Sequence, residues 1–322
     1  MRIWALGLMP LSGLLLLASA CGGSRTAKET FDDLDKPIFQ HPSTTNVTYS
    51  ESVNTRDRQL VEFAVSIAQP MFAEAGFPLA AKFSVAGDEN SFLQFYKTTF
   101  NASEEDAREA YTNTRGATKT YNAQVVINIP LHDAIAEGEK RDATLVFTVV
   151  HELYHVLQTR LSRGWNGLTD EPKWIGEGSA NLAAWRAMIS GTCVPLAEIN
   201  KAIASLAQNS ECTREFVDEQ IFNFLLLTFF ADQTTTVATQ LYLHAEFGLE
   251  AYDRFYVALP EAAASFTAEI NTLRDQLWRD ALEDTFLAPS IESLQEKSTD
   301  YITEHEELLL KRLEEVHSTF KK

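Results

Sequence analysis

His151-Glu152-Leu153-Tyr154-His155 places two imidazoles four residues apart, with a carboxylate beside the first. On a helix, residues i and i+4 share a face, their Cβ atoms about 5–6 Å apart. Two neutral imidazoles so placed can bind one divalent cation, Zn²⁺ above all, at about 2.0–2.1 Å. Glu152 points to the side where an attacking water would lie. A carboxylate there can take the water's proton and later hand it to a leaving amine. Two histidines leave a catalytic zinc site one protein ligand short. The other histidines, His41, His132, His244, His305 and His317, have no ligand spacing to the pair. Asp170 and Glu171, in an expected loop before Pro172, are acidic candidates for the third ligand.

A second motif follows. Lys173-Trp174-Ile175-Gly176-Glu177-Gly178-Ser179-Ala180 resembles the Trp-x-x-Glu-Gly-x-Ala segment of gluzincins, the thermolysin-like and aminopeptidase-like zinc peptidases. The resemblance spans roughly residues 120–260 and rests on two short motifs in the right order. It implies that Glu177 is the third ligand of one zinc ion per chain, on a helix antiparallel to the first. Gly178 and Ala180 are then the small residues that close helix packing beside the metal requires. Asn181 falls where thermolysin-like enzymes place a carboxylate that orients a zinc-bound histidine; here it is an amide. A metzincin is excluded, because Gln158 and Leu161 stand where that class has Gly and His.

The same resemblance implies a peptide or protein substrate held in extended form along an edge strand. Gln124–Ile129 is the candidate strand, with a paired interior strand as its alternative. An oxyanion stabiliser is expected downstream, His244 and Tyr242 leading, with Tyr252 and Tyr256 behind them. The activity expected is hydrolysis of peptide bonds. The alternative is a lipid-anchored binding or assembly factor that keeps the fold without turnover.

The elements that must position these residues are mostly helical. Leu60, Phe63, Ala64 and Ile67 stripe one helix that ends near Gly76-Phe77-Pro78. Lys82–Ala86 reads as a short strand, and Ser103 with Glu104, Glu105 and Asp106 as a helix start. Gln124–Ile129, stopped by Pro130, is the best strand. Asp142 is expected to cap a helix running to Leu161, with Gly164 closing it. From Thr148 to Leu153 this helix is apolar on nearly every side except at the motif, which marks burial. Further helices are expected near 173–190, 195–208, 214–231, 235–247, 261–285 and 291–319, the last striped by Leu294, Tyr301, Ile302, Leu308 and Leu309. The fold class is α+β, mainly α: a small sheet packed on the buried motif helix, then a helical region over about 195–322.

At the amino terminus, Arg2, the apolar run Leu6–Leu17 and Ala18-Ser19-Ala20-Cys21 resemble a bacterial lipoprotein signal. The resemblance implies cleavage before Cys21, acylation of its thiol and membrane attachment through the lipid. Residues 1–20 then form the signal, 21–52 a polar tether and 53–322 the zinc-peptidase-like domain. Gly22, rather than Asp, favours the outer over the inner membrane of a bacterial cell envelope. A net charge of −18 argues against nucleic-acid partners and against adhesion to anionic lipid. In an oxidising compartment, Cys193 and Cys212 are expected to form a disulfide.

Overall fold

The computed structural model describes residues 42, 44–163, 173–209, 212–232, 234–248, 250–264 and 270–320. The signal segment, Cys21, His41, Gly164, Asp170 and Glu171 lie outside the described residues. Strand β1 (Asn46–Tyr49) leads to helix α1 (Thr55–Glu74), β2 (Lys82–Ala86), α2 (Glu89–Phe100), α3 (Glu104–Asn113), β3 (Gly116–Lys119) and β4 (Gln124–Asn128). Then come α4 (Ile129–Ile135), the motif helix α5 (Gly138–Leu161) and α6 (Lys173–Thr192). The chain continues through α7 (Ile199–Ala204), α8 (Arg214–Asp232), α9 (Thr235–Phe247), α10 (Ala251–Ala264), α11 (Ile270–Phe286), α12 (Ile291–Glu304) and α13 (Glu306–Phe320). This is the mainly helical α+β architecture anticipated from the sequence. No helix among the described residues is long and apolar enough to cross a membrane.

Several boundaries move. Strand β1 lies inside the segment expected to be tether, so the folded region begins before residue 53. The helix expected over 261–285 overlaps the end of α10 and nearly all of α11, α10 starting ten residues before that range, and the one expected over 291–319 breaks at His305 into α12 and α13.

The sheet order is β1-β2-β4-β3, with β3 the single antiparallel strand. Gln124–Asn128 is therefore interior, which corrects the edge-strand expectation. Val125 and Ile127 join the main core with α5, whereas Val126 joins a second cluster with Phe92, Tyr96 and Ala107 of α2 and α3. A strand covered on both faces needs an unbroken apolar run, and that run is what made it legible. Ile129 and Pro130 open α4 instead, where proline's missing N–H costs nothing.

Helix α5 is buried from Leu145 through Leu157 at every position except the half-buried His155. Both ends are pinned. Helix α5 begins at Gly138, one turn earlier than expected, so Asp142 is not its cap; the Asp142 carboxylate instead takes Arg56 Nη2 at 2.6 Å. Arg141 pairs with buried Asp57 of α1 and, at 2.8 Å, with Asp133. At the other end Arg160 donates to the carbonyl oxygens of Pro78 and, at 2.7 Å, Ala80, with its guanidinium over the Phe72 ring. Charged groups at both ends thus fix the helix along its axis, while apolar packing fixes its rotation.

Candidate metal centre

Helix α5 presents His151 and His155 one turn apart, their rings 4.7 Å centroid to centroid and nearly perpendicular at 87°. Phe147, a further turn back, stacks on His151 and is itself backed by Trp185 of α6. Glu177, in the second turn of α6, completes a triangle. Its Oε2 lies 3.2 Å from His151 Nε2 and 3.6 Å from His155 Nε2, and the two Nε2 atoms are 3.1 Å apart. Bonds of about 2.0–2.1 Å to a tetrahedral ion imply donor–donor separations of about 3.3–3.4 Å. The triangle therefore has the size of one face of such a tetrahedron. Among the described residues this is the one His, Cys, Asp and Glu group that could hold a metal.

The protonation pattern fits a site made for a cation. Burial works against charge on His155, but the hydrogen bond and charge of Glu177, with Glu152 and Gln158 behind them, lift it to about 9. Burial would raise Glu177, yet hydrogen bonds and charge from the two histidines hold it far below the usual carboxylate range. In the metal-free protein a proton on His155 therefore balances the charge of Glu177. A dication in that triangle replaces the proton and leaves Glu177 ionised.

Glu152 is 1% exposed and does not join the triangle. It faces the edge strand β3, which sequence patterning missed because Gly-Ala-Thr-Lys shows no alternation of apolar and polar residues. Thr118 donates its hydroxyl hydrogen to Glu152 Oε2 at 2.6 Å, and Thr118 Oγ1 also lies 3.1 Å from the Glu152 backbone carbonyl oxygen. Gly116 allows this approach. A Cβ there would lie 2.8 Å from Glu152 Cγ and from Thr148 Cγ2.

Gln158 was read only as evidence against a metzincin, yet its Oε1 lies 2.7 Å from His155 Nδ1. The helical i, i+3 spacing from His155 was the available signal. The Asn181 Oδ1 atom is buried and has no hydrogen-bond partner among the described residues. Gly178 relieves a different contact from the one anticipated. A Cβ there would meet Gln240 of α9 at 2.2 Å, so it makes room for α9 rather than for α5.

Of the residues considered for an oxyanion role, His244 and Tyr242 have partners outside the triangle. His244 Nε2 is 3.1 Å from Asp218 Oδ1, and Tyr242 packs on Phe247 and Tyr301 at the C-terminal helices. Tyr252 and Tyr256 are core residues at 6% and 0% exposure. Of the remaining described histidines, His132 is fully buried and His305 stacks on Tyr301. Cys193 and Cys212 are neighbours but free thiols; burial and the Cys193 side chain push the Cys212 thiol up to about 12. Comparison of the chain with protein-family models, with curated proteins and with solved structures found no match, so the functional argument stands on this geometry.

Proposed function

We propose that this chain is a zinc-dependent peptidase, with His151, His155 and Glu177 as metal ligands and Glu152 as general base. The observation that carries the reading is the donor triangle, two imidazole nitrogens and a carboxylate oxygen all within 4.8 Å of one another, with a second carboxylate, Glu152, close enough to act on His155. Two nitrogens and one oxygen are a donor set suited to zinc with an open fourth position. The order and spacing of the two motifs, which resemble gluzincins, support the same reading.

Zinc held there would polarise a scissile carbonyl and acidify an adjacent water. Glu152 accepts the water's proton as its oxygen bonds to the carbonyl carbon. The carboxyl group then delivers that proton to the amide nitrogen as the C–N bond breaks, leaving a carboxylic acid and an amine. Thr118 holds one oxygen of Glu152, which keeps the carboxylate from rotating away from the reacting water. Strand β3, as the sheet edge nearest Glu152, offers backbone groups to an extended peptide in the role first considered for Gln124–Ile129. Acylation of Cys21 would hold the enzyme at a bacterial envelope membrane.

The deciding experiment is metal analysis of purified wild type together with Glu152→Gln. The proposal expects about one zinc per chain in both, peptide hydrolysis by wild type and a loss of roughly 10²–10⁴-fold in the variant. A zinc-loaded wild type inert towards a broad peptide library would favour a non-catalytic binding or assembly factor. A chain that binds no zinc would end the metal reading.

A further inference from the structure

A metal-binding histidine must present a lone pair, and a neutral imidazole has one only on the nitrogen that lacks hydrogen. What selects that nitrogen in His155 is an amide. The two ends of Gln158 differ in their surroundings. One end faces His155 Nδ1 at 2.7 Å. The other lies 2.8 Å from the Gly176 carbonyl oxygen, 2.7 Å from Ser179 Oγ and 3.0 Å from the Tyr256 hydroxyl.

A backbone carbonyl can only accept, so the –NH₂ end must face Gly176. The carbonyl end, Oε1, must then face His155. Oε1 also only accepts, so Nδ1 of His155 carries the hydrogen, and the lone pair falls on Nε2, the atom that faces Glu177 and His151. Gln158 is 2% exposed, leaving no room for water to substitute. Gly176 immediately precedes Glu177, and Ser179 follows it by two residues. One amide therefore sets the tautomer of one ligand and grips the helical turn that carries another.

We propose that Gln158 is the positioning residue of the metal centre, coupling the His155 tautomer on α5 to the placement of Glu177 on α6; this rests on the zinc-site reading above. Glutamate would not serve equally. It would accept from His155 Nδ1–H but set an oxygen against the Gly176 carbonyl, releasing α6.

The test uses the full-length protein, zinc affinity by chelator competition and the unfolding temperature of the metal-free form. The variants are Gln158→Met, Gln158→Glu and Tyr256→Phe. Gln158→Met, which removes both grips, is expected to weaken zinc binding about 10–100-fold, as loss of a ligand-orienting partner does. Gln158→Glu should recover much of that affinity, because it restores the acceptor for Nδ1–H, while its metal-free form unfolds at lower temperature than wild type. Tyr256→Phe should alter unfolding and leave zinc affinity near wild type. Zinc binding by Gln158→Met equal to wild type would overturn the proposal with the zinc site intact. Affinity that simply tracks unfolding temperature across all three variants would also overturn it, reducing Gln158 to a packing residue. Wild type without zinc affinity would sink the site reading and this inference with it.

Discussion

Gly116→Ala places one methyl group against the proposed general base. The new Cβ would sit 2.8 Å from Glu152 Cγ, 2.8 Å from Thr148 Cγ2 and 2.9 Å from Glu152 Oε1. Ordinary contact begins near 3.4 Å, so strand or side chain must give by about 0.6 Å. Glu152 is 1% exposed and Thr148 6%, and α5 is pinned at both ends, which leaves little slack. Overpacking of this kind costs about 1–3 kcal/mol. In a domain of this size each kcal/mol lowers Tm by about 2–4 °C. Because a displacement of about 1 Å at a reacting group can cost roughly 100-fold, turnover should fall by about 10–100-fold. Zinc content should stay unchanged, since the methyl touches none of His151, His155 or Glu177.

Thermal unfolding, metal analysis and peptide turnover together read all three effects. Gly178→Ala is the control. Its Cβ would meet the far end of the flexible Gln240 side chain. Helix propensity there returns about 1 kcal/mol in favour of alanine, so the net change in stability should be small. A Gly116→Ala protein as stable and active as wild type would refute the placement of β3 against Glu152.

Glu177→Ala should weaken zinc binding by more than any other single change outside the two histidines, because it removes one of three ligands; metal content equal to wild type would take Glu177 out of the site. Arg141→Met should destabilise the fold by about 3–5 kcal/mol, since Asp57, only 2% exposed, loses its buried partner; a loss under about 1 kcal/mol would show the pair to be no better than an exposed one. Zinc affinity should rise with pH up to about 9, because His155 in the metal-free protein holds its proton below that value and must release it to bind. Titration calorimetry in buffers of different ionisation enthalpy should find about one proton released per zinc at pH 7; no proton release would contradict the His155–Glu177 pairing.

Much of the fold was legible because local patterns and tertiary demands agreed. Residues 235–247 read as a helix and are α9, and the apolar run of β4 read as a strand because both its faces are covered. Burial of α5 was visible in the absence of a polar face around Thr148–Leu153. Strand β3 was not legible. Four residues with no alternation become a strand only because β4 offers hydrogen bonds on one side and α5 offers a floor. The break at His305 was hidden because an amphipathic stripe continues across a short interruption.

The site divides in the same way. By itself the sequence determined two imidazoles and a carboxylate on one helix, since a period of 3.6 residues dictates their spacing without reference to anything distant. It also offered Glu177, but as a motif likeness. Only the tertiary structure decided that Glu177 Oε2 lies within 3.6 Å of both imidazoles, that Glu152 is held by Thr118, and that one glutamine ties the two helices together. Those contacts join residues from 18 to 34 positions apart. No periodicity encodes such separations; they follow from how packed helices and a sheet edge divide the space around one buried face.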